Sequence, residues 1–436
     1  MKIIKPLKEV GFVSKAPDGI ISSKLTMALF SIMIYALAFD FRSELGVGTV
    51  FVMLIGVISL LSGLVLVVVL NSLDKRSLTL VVPALFLLVG SSLSGIVREQ
   101  LIYDVISLSM PLLFFITALI CVSSIRVEPD RLKMFIHIII AFALLSVVFK
   151  CVFGFLYYGL TLDNVRYQII SPAVIIVFSY GVASLLYKKQ RFGIIALILS
   201  IIVIIISVTR SYIVVFSAVV LFWVLCMPLS FWRKHIYIGL KLFVFMLLLV
   251  VFTYSFFPDV FERWSVRLFS GVEAHGVDVT AITRIAEIDY QIDRLLESPV
   301  NLMAGMGVAA ETRFSPEYRQ ILSIVFSDDF EYVGKGFGHN TYVGIIFTGG
   351  LIIGSIFICS ILFNIKSTIM LFRTEVLKKQ RVTDYQFCLA WGGGAAFGYS
   401  VYGLLGGTFG DRLFALSYGL SFGLVFFSKR FILKYA

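Results

Sequence analysis

His339 and Arg210 are the residues whose types and surroundings most directly invite a chemical reading. His339, one of four histidines, is followed by Asn340, Tyr342 and an apolar stretch bearing Gly349, Gly350 and Gly354. A histidine at a water–lipid boundary titrates near neutrality and can act as a general base toward a substrate hydroxyl. As a helix cap or a plain interfacial residue it would do no chemistry. Arg210 stands between two apolar runs in Ser207-Val208-Thr209-Arg210-Ser211-Tyr212. A guanidinium at that depth is expensive unless it faces protein, water or an anion. Arg284 and the span-end arginines Arg98, Arg166 and Arg412 would complete a cationic pocket for a pyrophosphate, because the planar guanidinium fork pairs bidentately with phosphate oxygens. Chance placement and snorkelling at helix ends would give the same pattern without a function.

Other reactive constellations are missing from the sequence. It contains no HExxH, CxxC, Walker loop or dinucleotide fingerprint, so neither a metal nor an organic cofactor is indicated. A carboxylate pair with glycosidase spacing cannot be argued across helices far apart in sequence. Cys121, Cys151, Cys226, Cys359 and Cys388 all fall in or beside apolar runs. There a free thiol behaves as a small hydrophobe, and no disulfide framework follows.

The elements that must position these residues are membrane spans. The chain has 436 residues, 59% apolar and 14% charged, where soluble domains run near half apolar and a quarter charged. An all-α membrane protein is therefore expected, folded as a single polytopic domain over residues 1–436. A span takes roughly 20 apolar residues, and the runs bounded by charge or turn residues are 25–39, 46–70, 78–97, 105–124, 134–157, 168–187, 192–209, 211–229, 236–257, 340–363, 385–404 and 412–428. That makes twelve. The N-terminal lysines and the run 25–39 resemble a secretory signal, but no small-residue cleavage site follows at Asp40–Arg42, so the segment reads as a first span.

Basic residues sort by side. Of 37 lysines and arginines, 24 fall at the N-terminus, the C-terminus and the alternate connections, which places both termini in the cytoplasm. Among the other 13 only Lys150 and Lys335 are lysine. The net charge of +11 thus follows from topology and does not require a nucleic-acid partner. One connection is long: residues 258–338 form an expected periplasmic subdomain with seven basic and thirteen acidic residues. Within it Ile282, Ile285, Ile288, Ile292, Leu295 and Leu296 recur at helical spacing, predicting an amphipathic helix over Thr280–Glu297 that stops at Ser298–Pro299. That stripe would pack on the membrane surface or on the bundle. Gly305-Met306-Gly307 then permits a tight turn able to bring backbone amides close to a ligand, although most such pairs are ordinary turns.

Three local patterns, taken in order, resemble the Wzy-type O-antigen polymerase and O-antigen ligase family of lipid-linked glycan transferases. They are Thr209-Arg210-Ser211 opening a span, Arg284 followed by the Gly305/Gly307 turn, and His339-Asn340-x-Tyr342 with glycines in the next span. Twelve spans, cytoplasmic termini and a large loop before the tenth span match that family's architecture. The histidine-to-glycine spacing of the ligases is displaced by one, with Ile353 where a glycine is usual and Gly354 after it. Arg166 is followed by Ser171-Pro172 without the Pro-Asn pair seen in many members.

The resemblance implies an inverting glycosyltransferase of the bacterial inner membrane, with its site facing the periplasm. It would transfer glycan from undecaprenyl pyrophosphate to a lipid-linked repeat unit as a polymerase, or to the lipid A core as a ligase. In this reading Arg210 and Arg284 hold the pyrophosphate, and His339 activates or orients the acceptor hydroxyl. Arg166, Arg98, Arg412, Asn340 and Tyr342 are further substrate contacts. The implied partners are the undecaprenyl-pyrophosphate-linked glycan, membrane lipids and a chain-length regulator protein. A polysaccharide flippase or secondary transporter is the reading from a different class: Asp74-Lys75-Arg76 matches a fragment of a major-facilitator loop. Transporters, however, place charge and broken helices at the midplane, whereas the polar residues here cluster at span ends.

Overall fold

The computed structural model describes residues 23–40, 49–70, 73–125, 132–158, 169–185, 191–226, 251, 254–255, 258–265, 278–322, 332–378 and 384–434. Among these, six helices are long and apolar enough to cross a membrane, within Phe51–Leu70, Leu78–Val97, Ile102–Ser124, Leu132–Leu156, Thr341–Thr374 and Arg412–Leu433. Shorter apolar helices cover Lys24–Ala38, Val174–Ala183, Phe192–Ser207 and Arg210–Cys226. Asp384–Leu405 is a further long helix, and sheet is confined to one antiparallel pair of two-residue strands, Glu311–Thr312 with Gly334–Lys335. The architecture is that of a helical membrane protein. Side chains such as Val68, Phe86 and Leu61 project outward, 77%, 60% and 56% exposed. Apolar surface on that scale belongs in lipid rather than in water.

Small residues let the central helices approach one another. A Cβ on Gly419 would overlap the carbonyl of Phe115, and one on Gly423 would meet Val122 Cβ at 2.6 Å, so Arg412–Lys434 lies backbone to backbone against Ile102–Ser124. Gly392 does the same for Asp384–Leu405, where a Cβ would meet the Ser421 carbonyl at 2.8 Å. Aromatic rings fill the remaining space: Phe115 lies 5.4 Å from Phe409 and 5.6 Å from Tyr418. The expected run 168–187 becomes a helix only from Val174, because Pro172 marks its start. The expected run 236–257 lies almost wholly outside the described residues.

The largest departure is in the helix that follows His339. It covers Thr341–Lys378, well beyond the apolar run 340–363, because the residues after the run are good helix formers. It is also broken at Gly350, whose φ of 80° and ψ of 168° suit glycine. The break frees the carbonyls of Phe347 and Thr348 from their intrahelical partners. They accept instead from Met306 N at 2.7 Å and Gly307 N at 3.1 Å. The Gly-x-Gly turn therefore spends these two amides on a broken helix, not on a ligand. Gly305 (φ 76°) and Gly350 face each other so closely that a Cβ on either would overlap the other's strand of backbone.

The expected amphipathic helix forms over Val279–Leu296. Its packed face overlaps the expected stripe at Leu295, with Ile282 and Ile288 half-buried. Ala286, Glu287, Gln291 and Leu295 are buried, while Ile285, Ile292 and Leu296 are 45%, 40% and 65% exposed. The inward line Glu287, Gln291, Leu295 follows an i, i+4, i+8 spacing; the Glu287 carboxylate is satisfied by hydrogen bonds from the adjoining loops, whereas Gln291 Nε2 is buried without a hydrogen-bond partner among the described residues.

Candidate functional site

The helix Val279–Leu296 carries the candidate site along its length. At its start Asp278 is the N-cap, accepting from Thr280 N at 3.1 Å and Ala281 N at 3.3 Å. The same carboxylate takes Arg210 in a bidentate pair, Nη1 to Oδ2 at 2.7 Å and Nη2 to Oδ1 at 3.0 Å. The Arg210 hydrogen bond, opposed by partial burial and aided by the guanidinium charge and the cap amides, holds the Asp278 pKa below its ordinary value. Arg210 opens its own helix, Arg210–Cys226, directly after a sharp turn in which Val208 adopts a φ of 47°. Two residues on, Tyr212 packs on Tyr402 with ring centroids 4.8 Å apart.

Arg284 lies six residues after Asp278, about 9 Å further along the axis. Its guanidinium rests against Gly406, where a Cβ would come within 3.0 Å of Nη2. Gly406 has a φ of 138°, a backbone conformation that favours glycine. No carboxylate among the described residues pairs with Arg284, and the side chain is half-buried.

One turn further stands Glu287, its Cβ about 5–6 Å from that of Arg284. Its side chain is 1% exposed. Oε2 accepts from His339 Nδ1 at 2.7 Å and from the His339 backbone N–H at 2.8 Å. Oε1 accepts from the hydroxyls of Thr312 and Tyr332, both at 3.2 Å. Burial alone would raise the carboxyl pKa; hydrogen bonds and charge from His339, with help from Tyr332, outweigh it and leave Glu287 below its ordinary value. Tyr332 is pushed up in turn, by burial and by the Glu287 charge. A carboxylate accepting from Nδ1–H fixes the orientation of the ring and leaves Nε2 as the nitrogen not engaged by Glu287. The ring is 49% exposed, so a substrate can reach it. Gly338 (φ 64°) is required here, since a Cβ would come within 2.6 Å of Gln291 Nε2 and 3.0 Å of Glu287 Oε1.

The residues after His339 fasten the site to the bundle. Asn340 Oδ1 accepts from Tyr342 N at 3.1 Å and Val343 N at 3.2 Å, capping the broken helix, and its Nδ2 donates to Leu404 O at 3.4 Å. Thr341 Oγ1 donates to Gly407 O at 2.5 Å, and the Tyr342 hydroxyl donates to Ser400 O at 2.9 Å. The turn Leu404–Gly407 is thus gripped by the His339 segment on one side while Arg284 lies against Gly406 on the other.

The structure gathers Arg210, Arg284 and His339 onto one helix, through Asp278, directly, and through Glu287. Asn340 and Tyr342 sit beside them with side chains engaged in caps and anchors. Arg98 and Arg412 hold protein partners: Arg98 Nη2 donates to Asn301 Oδ1 at 2.7 Å, and Arg412 donates to Asp40 Oδ1 and Val52 O, each at 3.4 Å. Arg166 lies outside the described residues. Glu287, Asp278, Thr312 and Tyr332 escaped the reading of the sequence. The available signal was the spacing of Glu287, Gln291 and Leu295, which marks an inward line once the isoleucines are set aside. Among the described residues no group of three or more histidine, cysteine or acidic side chains is arranged to hold a metal ion. Compared with known proteins, the chain matches no family model and no curated sequence.

Proposed function

We propose that the protein is an inverting glycosyltransferase of the bacterial inner membrane, acting as an O-antigen-type polymerase. It moves a glycan from undecaprenyl pyrophosphate to a hydroxyl of a second lipid-linked repeat unit. The observation that carries this reading is that Arg284, which pairs with no carboxylate among the described residues, stands one helical turn from Glu287, the buried carboxylate that holds His339. Arg284 offers free guanidinium donors to an anionic leaving group, and His339 offers a lone pair to a hydroxyl proton. In the reaction the acceptor oxygen attacks the anomeric carbon on the face opposite the pyrophosphate. The bond from that carbon to the pyrophosphate oxygen breaks, and both its electrons leave with undecaprenyl pyrophosphate. The hydroxyl proton passes to His339 Nε2, while Glu287 stabilises the imidazolium that forms. Fixed donors near the departing oxygen supply the largest share of such catalysis. Arg210 uses two of its five donors on Asp278 and directs the remainder toward the distal phosphate.

The positive-inside arrangement belongs to the same proposal: twelve spans, both termini cytoplasmic, and residues 258–338 on the periplasmic face. A chain-length regulator is the protein partner that the family resemblance implies. The test is a deletion in the source bacterium, with its lipopolysaccharide separated on a gel and its lipid-linked intermediates assayed. Core bearing a single repeat unit is the expected result. Bare core with long glycan accumulating on undecaprenyl pyrophosphate would reassign the chain as a ligase, and an unchanged ladder would remove the proposal.

A further inference from the structure

The segment after the helix Val279–Leu296 does not stay at the surface of the bundle. Leu78–Val97 is a 20-residue apolar helix, about 30 Å long, which matches the hydrocarbon thickness of a bilayer. Val97 therefore marks the boundary, and Ser91, six residues earlier, lies about 9 Å beneath it. Val308 N donates to Ser91 O at 3.0 Å, and Ser94 Oγ donates to Gly305 O at 3.1 Å. The backbone of Gly305–Val308 thus sits at membrane depth. The second wall agrees, because Met306 and Gly307 bond the carbonyls just before Gly350, nine residues or about 13 Å into the broken helix.

Irregular backbone is tolerated at that depth only where protein encloses it and satisfies its polar groups. Gly305 through Ala310 are all buried. Their amides go to Phe347 O, Thr348 O and Ser91 O, to Gln100 Oε1 from Ala309 N at 3.0 Å, and to Gly307 O from Ala310 N. The residues just before them satisfy themselves in another way. Pro299–Ala304 is a helix capped by the Ser298 side chain, with Asn301 turned inward to Arg98 and to Arg294 O. Its outward side chains are apolar: Val300 is 67% exposed and Met303 50%. They continue the outward apolar surface of Leu93, Ile96 and Val97 on one neighbour, and of Leu351 and Ile352 on the other.

We propose that Pro299–Ala310 is a re-entrant segment lying in the bilayer leaflet nearer His339, with Val300 and Met303 immersed in acyl chains. Self-satisfied helix faces the lipid, and irregular backbone follows it inside the protein. The segment anchors one end of the helix that carries Arg284 and Glu287. This inference does not rest on the transfer reaction, and its test needs no activity.

The wild-type protein, in vesicles of phosphatidylethanolamine and phosphatidylglycerol, is photolysed with an apolar aryl diazirine dissolved in the bilayer, and labelled residues are located by proteolysis and mass spectrometry. Labelling of residues 299–304 is expected at one third or more of the level on residues 86–97. Less than one third overturns the proposal. A second measurement places spin labels at Met303→Cys, Leu93→Cys and Glu317→Cys in a background without the native cysteines. Met303→Cys is expected to match Leu93→Cys in favouring collisions with oxygen over a water-soluble nickel chelate. A match to Glu317→Cys instead overturns it.

Discussion

Glu287 is the residue on which the geometry of the candidate site turns. It is buried, it is anionic, and it fixes both the backbone and the ring of His339. Its lowered pKa has a definite consequence for stability. A carboxyl whose folded-state pKa is depressed contributes stability above its unfolded value, and that contribution is lost as pH falls through the folded value. For Glu287 the loss starts as pH drops below the ordinary 4.5. Asp278, also depressed, adds to it in the same acidic window. Glu287→Gln is therefore expected to show a shallower fall of melting temperature on acidification than the wild type, measured in detergent between neutral pH and pH 3. An equally steep fall would mean that this carboxylate is not among the groups that acid uncouples. At neutral pH the same substitution is expected to slow glycan transfer by about 10²-fold, since the histidine loses its orienting anion. His339, Arg210 and Arg284 were legible in the sequence because they are chemically distinctive types, the first two beside apolar runs. Glu287 was not, because one acid in a segment with thirteen acidic residues reads as solvated surface.

At the scale of elements, the break at Gly350 and the Gly305-Met306-Gly307 turn form one device, each supplying the hydrogen-bond partners that the other lacks. Gly350→Ala places a Cβ against the Met303 carbonyl and imposes a backbone conformation that L residues rarely adopt. The expected loss is about 2–4 kcal/mol of stability, read as a drop in thermal midpoint. Gly410→Ala, where a Cβ meets nothing nearer than 3.4 Å, is the control and is expected to be near neutral. Equal midpoints for the two variants would show that the docking contributes little. The limits of Leu78–Val97 and Val279–Leu296 followed closely from hydropathy and periodicity, since those signals are local. The kink did not, because a glycine in an apolar run breaks a helix only when distant donors take up the freed carbonyls. Ile285 and Ile292 face outward, as a stripe laid on the membrane surface would, and the inward positions of Glu287 and Gln291 were not legible because both are polar.

For the whole molecule, composition alone established the class, as 59% apolar residues leave little for a water-soluble core. Sidedness is the next level, and Glu317→Cys checks it. On the polar segment this position is expected to react with a membrane-impermeant maleimide in spheroplasts. Reaction only after lysis would invert the topology. The central claim is that Arg284 and His339 transfer glycan from a lipid pyrophosphate, and the most direct test is reconstitution. The purified protein in proteoliposomes is supplied with undecaprenyl-pyrophosphate-linked repeat units, and elongated lipid-linked glycan is measured together with released undecaprenyl pyrophosphate. The wild type is expected to form one new linkage for each undecaprenyl pyrophosphate released, with Arg284→Ala and His339→Ala slower by at least about 10²-fold. No elongation by the wild type, or undiminished elongation by His339→Ala, would contradict the account.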